Sequence, residues 1–197
     1  MFHFSSRARV VTATIGLIAI GIVASYFLAQ SDSIPKDFVD ARLQGATISQ
    51  SIVDLASQSS KDISTINQLD EQGKFSEAKD VALKAIQESQ EIRSQAVELS
   101  NQVSKMTQAL SSIKSFDARQ AALEAIASRL ALISRLINYS DYLNQLLTTL
   151  QARFNGQASE QNVGTIITQI NNEVTAINNF NRQATQSMEE FDRITGR

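Results

Sequence analysis

From Ala78 to Ile113 the chain repeats one spacing without a break: Ala78, Ala82, Ala85, Ser89, Ile92, Ala96, Leu99, Val103, Met106, Leu110 and Ile113 stand alternately four and three residues apart. A strand would need a period of two. A period averaging 3.5 residues puts small and apolar side chains along one side of an α-helix, and such a seam stays on its partner only if the helices wind round one another with a left-handed twist at shallow angles. The same spacing returns in Val163, Ile167, Ile170, Val174, Ile177, Asn181, Ala184, Met188 and Phe191. With one proline and seven glycines in 197 residues, little interrupts these runs. The chain is expected to be all-α.

Three breaks divide the helical text into segments of about 36–72, 76–113, 117–154 and 160–195. Each spans roughly 53 Å at 1.5 Å per residue. Equal lengths joined by short turns predict an antiparallel up-down-up-down four-helix bundle with coiled-coil-like packing. Pro35 suits a first turn. Gly73 and Gly156 suit the left-handed position that ends a helix. Ser76 and Ser159 suit N-caps, with Glu77 and Glu160 behind them. Asp117 with Gln120 reads as a capping box with Phe116 as its hydrophobic staple.

The segments differ in strength. The third has two adjacent seams, Leu123, Ile126, Leu130, Ile133, Ile137 and Leu132, Leu136, Tyr139, Leu143, Leu146, Leu150, which predict a wide buried face. The first has good core positions at Ile48, Ile52, Leu55, Ile63, Ile66 and Leu69, interrupted by polar residues 57–62. There Ser59 should face Ser89, in a serine layer bonded back to its own helices or a wet pocket.

Before the bundle, Val10 to Ala29 is uncharged for twenty residues, long enough to cross about 30 Å of hydrocarbon. Arg7 and Arg9 precede it, and Tyr26 and Phe27 lie where an interfacial belt would sit. The reading is a cytoplasmic tail (1–9), a transmembrane signal anchor (10–29) that partners the lipid bilayer, a linker (30–35) and an extracytoplasmic bundle (36–197). The rival is a signal peptide cleaved near Val23-Ala24-Ser25. Two spans are usual in sensory receptors, and no second apolar segment is read before Arg197.

Leu69 to Ile86 resembles the second half of a tetratricopeptide repeat: Gly73, Phe75, Ala78 and Ala85 match that family's glycine, aromatic and two alanines. The resemblance covers about 18 residues. Asp62, Thr65, Ile66 and Leu69 stand where the upstream Trp, Leu, Gly and Tyr belong, and no copy follows at Thr107, Ala109, Ser112 and Arg119. A repeat array needs at least three copies, so the match implies only a helix–turn–helix corner. The overall organisation also resembles uncharacterised bacterial single-pass, membrane-anchored helical-bundle proteins, a likeness that brings no function with it.

The chemistry classes thin out quickly. There is no cysteine, and the one histidine is His3, so metal, haem and Ser/His/Asp sites have no ligands or base in the bundle. Phosphate-binding glycine motifs are missing. Neither cofactor nor metal is expected, and the chain does not read as an enzyme. Glu88/Glu91 and Glu189/Glu190 fall on polar faces and read as solvated surface. A net charge of −2 without a basic cluster past the N-terminal arginines does not suit nucleic acid.

What remains is recognition. Arg135, Asn138, Tyr142 and Gln145 form a 3-4-3 stripe on the third helix, a candidate partner-contact surface because Tyr and Arg anchor interfaces; the plainer account is hydrogen bonding to neighbouring helices with tyrosine hydroxyls reaching water. Asn181 sits on the fourth seam, where one buried asparagine fixes register. The expected function is a membrane-anchored scaffold, adaptor or envelope-complex subunit acting by protein–protein contact or self-association. The alternative is a sensory or ligand-binding bundle with a separate signalling partner.

Overall fold

A computed structural model of the protein describes residues 34–157 and 162–196. They form α1 (Lys36–Glu71), α2 (Phe75–Ala109), α3 (Phe116–Phe154) and α4 (Val163–Thr195), with a 3₁₀ turn at Leu110–Ser112 and no strand among the described residues. Contacts fix the directions. Along α1, Gly45 lies against Gln102 and Asp62 against Lys84, so α2 runs back along α1. Phe75 stacks on Phe154, and Arg93 pairs with Asp141 further along, so α3 reverses again. Phe38 meets Phe191 and Arg42 meets Asp192, closing the ring between α1 and α4. The fold is an all-α bundle. The start of α1, the α2–α3 connection and the end of α4 share its proximal end; the turns at Gly73 and Gly156 form its distal end.

Every residue of the long α2 seam, from Ala78 to Ile113, is buried. Ala78, Ala82 and Ala85 let α1 approach closely near the distal turn, while Lys79 stays half-exposed. On α3 the second seam is buried from Leu132 to Leu146. The first is not: Ile126 and Ile133 are buried, but Leu123 and Leu130 are 53% and 48% exposed. Periodicity had placed both in the core. It identifies an apolar face, but not how much of that face a neighbour covers. On α1 the seam runs through smaller residues than expected, with Ala41, Gly45, Ala56 and Ser59 buried between Phe38, Ile52 and Ile66, and Ile48, Leu55 and Leu69 only half-buried.

The helix ends depart from the expected caps. Gly73 and Gly156 do take left-handed geometry, φ 72° each. At the first, the Gly73 N–H donates to the Asp70 carbonyl at 3.0 Å and the Lys74 N–H to Leu69 at 2.9 Å; Gly156 and Gln157 repeat the pattern on Arg153 and Ala152. This doubled bond satisfies two of the terminal carbonyls. After Gly73, however, α2 starts at once, with Lys74 rather than Ser76 at the N-cap. On α3 the cap is Ser115, whose Oγ accepts from the Ala118 N–H, not Asp117, and Phe116 is 67% exposed instead of stapling the turn. Asn162 caps α4 by accepting from Gly164 at 2.8 Å, so the helix opens three residues after the expected 160; Ser159 and Glu160 lie outside the described residues. So does the expected span over residues 10–29. No helix among the described residues is long and apolar enough to cross a membrane.

The four sides of the bundle are unequal. Three neighbouring pairs pack closely, whereas α1 and α4 approach least. Large side chains bridge that gap at the proximal end: the Phe38 and Phe191 rings lie 5.2 Å apart, and the Arg42 guanidinium grips both oxygens of Asp192 at 2.6 and 2.7 Å. Gly45 lies just beyond this clasp. A Cβ built there would sit 3.4 Å from Leu99 Cδ1 and 3.8 Å from the Arg129 guanidinium, both ordinary contacts. Since glycine inside a helix costs about 0.5–1 kcal/mol relative to alanine, Gly45→Ala is expected to stabilise the bundle by about that amount, read as a higher urea midpoint with an unchanged slope.

Candidate functional site

The expected stripe on α3 occupies one side of the helix, but its members do different things. Arg135 reaches α4, where its Nη1 lies 3.5 Å from Glu173 Oε1. Asn138 and Tyr142 are half-buried, and only Gln145 stands exposed. Tyr142 packs on the core cluster. Glu173 itself is buried, and its Oε2 has no hydrogen-bond partner.

Tyr139, on the other side of Asn138, is fully enclosed; the expectation that its hydroxyl reaches water fails because the wide face of α3 is covered there. Burial pushes its phenol well above the ordinary value of 10. The folded state therefore prefers the protonated phenol. That contribution is intact below pH 10 and is lost as the pH climbs through the raised value. Phenolate absorbance should show one tyrosine that ionises only as helix is lost, and Tyr139→Phe should remove that late step.

The polar layer of α1 and α2 is an ionic network. Ser59 and Ser89 are both buried, but only Ser89 bonds back, to the Ile86 carbonyl at 2.8 Å. Ser59 Oγ donates across to Glu88 Oε2 at 3.2 Å. Lys84 Nζ donates to Asp62 Oδ2 at 3.1 Å and lies 3.3 Å from Glu88 Oε1; these bonds, Asp62 first, hold its ammonium above the ordinary lysine range. Gln58 completes the set by donating to Asp62 Oδ1 at 2.8 Å. Glu88, expected in solvent, is drawn in because Lys84 bridges it to Asp62, which is 6% exposed. Each charge in the layer is answered, so it reads as structure.

The centre between Arg42 and Asn181 is not answered in that way. Arg129 of α3 crosses the interior towards Gly45 of α1, its Nη1 lying 3.8 Å from where a Cβ would stand there. Part of Arg129 keeps contact with solvent, but its Nε is fully buried and has no hydrogen-bond partner. Among the described residues no carboxylate lies within ion-pair distance of it. Desolvation, followed by the positive charge of Arg42, draws its pKa below the ordinary arginine range, to about 10. It remains a cation at neutral pH. Beside it lies a cavity of about 20 Å³ with Ser49, Arg129 and Asn181 as its polar lining and Ile52, Leu99 and Leu132 as apolar walls. Asn181 therefore lines a void instead of sealing a seam. This centre was missed in the sequence, although a signal existed: stepping back from Leu132 along its own seam lands on Arg129.

Among the described residues no three His, Cys, Asp or Glu side chains are grouped to hold a metal. The outer side of α3 carries the other unusual feature, Phe116, Leu123 and Leu130 at seven-residue intervals, each about half exposed or more. No family model, curated protein or solved structure matches the chain.

Proposed function

We propose that the protein is a membrane-tethered interaction module, anchored by residues 10–29, that displays its bundle outside the cell and receives one helix of a protein partner along the outer side of α3. The observation that carries the docking half is the row Phe116, Leu123 and Leu130. Large apolar side chains left half in water at heptad intervals cost solvation, and that interval matches the ridge of another helix. The uncharged run behind two arginines carries the anchoring half.

Two measurements test the halves separately. A photo-crosslinking residue at Leu123 should trap one discrete adduct in intact cells, while the same residue at exposed Gln90 traps none; a doubled mass would instead identify a second copy, and monomer from both positions would remove the docking surface. Because the chain has no cysteine, Ser76→Cys provides a unique label at the distal end. A membrane-impermeant maleimide should modify it in whole cells; labelling only after lysis would overturn the address.

A second reading, a ligand-binding bundle, is favoured by the unanswered Arg129 and its cavity.

A further inference from the structure

The charge count at the Arg129 centre is unbalanced. Three ionised side chains meet where α1, α3 and α4 converge: Arg42, Arg129 and Asp192. Arg42 spends both guanidinium arms on the two Asp192 oxygens, so that pair is neutral and Arg129 is left over. The residues that α2 turns towards Gly45 at this level, Leu99 and Gln102, are uncharged. A guanidinium with its Nε buried cannot escape the cost by losing its proton near neutrality, because even the lowered pKa is about 10. Water in the cavity would satisfy the Nε–H but leave the positive charge uncompensated.

We propose that the cavity among the four helices is a binding site for one halide-sized anion, chloride being the abundant candidate, held by Arg129 and Asn181. Size sets the class. About 20 Å³ admits a single water-sized occupant, so a halide fits, while phosphate, sulfate and carboxylate groups do not. Ser49 does not compete as a donor, because its hydroxyl is committed to the Gly45 carbonyl at 2.8 Å. Its lone pairs require the anion to sit towards the Arg129 and Asn181 side. The apolar walls lower the local dielectric and strengthen the ion–guanidinium attraction. Occupancy would couple α3 and α4 to α1 through Arg129, on the side of the bundle where the backbones approach least. The site depends on neither the membrane anchor nor the outer row of α3.

The test compares thermal unfolding of the full-length chain and its Arg129→Met variant at constant ionic strength, with gluconate replaced stepwise by chloride. Solvent effects of the two salts act on both chains alike and cancel in the comparison. Chloride should raise the Tm of the parent by about 3 °C or more beyond any rise in the variant, the scale expected for an occupied site in a chain of this size. Equal rises in both chains would overturn the site and leave water as the occupant. Should the variant not fold, the chloride NMR linewidth of the parent decides. Broadening that bromide reverses and unfolding abolishes supports the site; an unchanged linewidth rejects it.

Discussion

Phe191→Ala is expected to destabilise the bundle by about 3–5 kcal/mol, the range for deleting a fully enclosed aromatic side chain. Phe191 has no exposed surface, and its loss would take more than its own packing. The ring is tilted 34° against Phe38 at 5.2 Å, and together the two rings fill the proximal part of the one side on which the helices approach least. That side cannot collapse onto a small residue without moving α4 towards α1, which the shared core with α3 opposes. The next residue, Asp192, holds Arg42, so a shift of the α4 end also loosens the ion pair. Urea unfolding should show a lower midpoint, and hydrogen exchange should quicken first in the opening turns of α1. Phe38→Ala should cost less once Phe191 is gone than it does alone, because the two share a contact, although its own burial is still lost. A loss below about 1 kcal/mol would mean that this side does not bear on stability.

Arg129→Met is expected to act in the opposite direction, stabilising the chain by about 2–3 kcal/mol in chloride-free buffer. The magnitude comes from the fall of the guanidinium pKa below the ordinary arginine range, to about 10, at about 1.4 kcal/mol per factor of ten, reduced for the part of the side chain that still meets solvent. Methionine matches the side chain as far as Nε and carries no charge. Here the folded state binds its proton less tightly than the unfolded chain does. The penalty is therefore complete below about pH 10 and fades as the pH climbs from there towards the ordinary arginine range. The advantage of the variant should be constant near neutrality and shrink in strong alkali. Denaturant midpoints of the two chains across that range supply the measurement, and a variant less stable than its parent at neutral pH would contradict it. If an anion occupies the centre, the same advantage should also shrink in chloride.

The gap between what was legible and what was not follows physical lines. The α2 seam was readable because each of its positions is small or apolar and meets a neighbour on one consistent side. Periodicity determines such a face, and two short glycine turns determine the order of helices. Caps were harder: Ser76 and Asp117 have the right chemistry, yet the chain bends two residues earlier, where Lys74 and Ser115 stand. A helical boundary depends on how the turn packs as much as on which hydroxyl is near. Leu123 and Leu130 read as core because a sequence gives the width of an apolar face but not the reach of the helix beside it. Arg129 and Glu173 show the converse. Long charged side chains are so often solvated that a buried one leaves no mark except its place on a seam, and the helix it packs towards, α1 at Gly45 for Arg129, stands far away in the sequence.

The clasp of Phe38 and Arg42 on Phe191 and Asp192 also decides how the bundle would carry a mechanical load. The chain enters at the proximal end, so tension applied through Pro35 acts along the axis of α1. All 36 residues of that helix lie alongside α2, over about 50 Å, and the interlocked side chains would resist in shear, the load falling first on those nearest its point of entry. The clasp sits within the first two turns of α1 and would be strained before anything else. A bundle built in this way is a stiff strut with a fuse at its base.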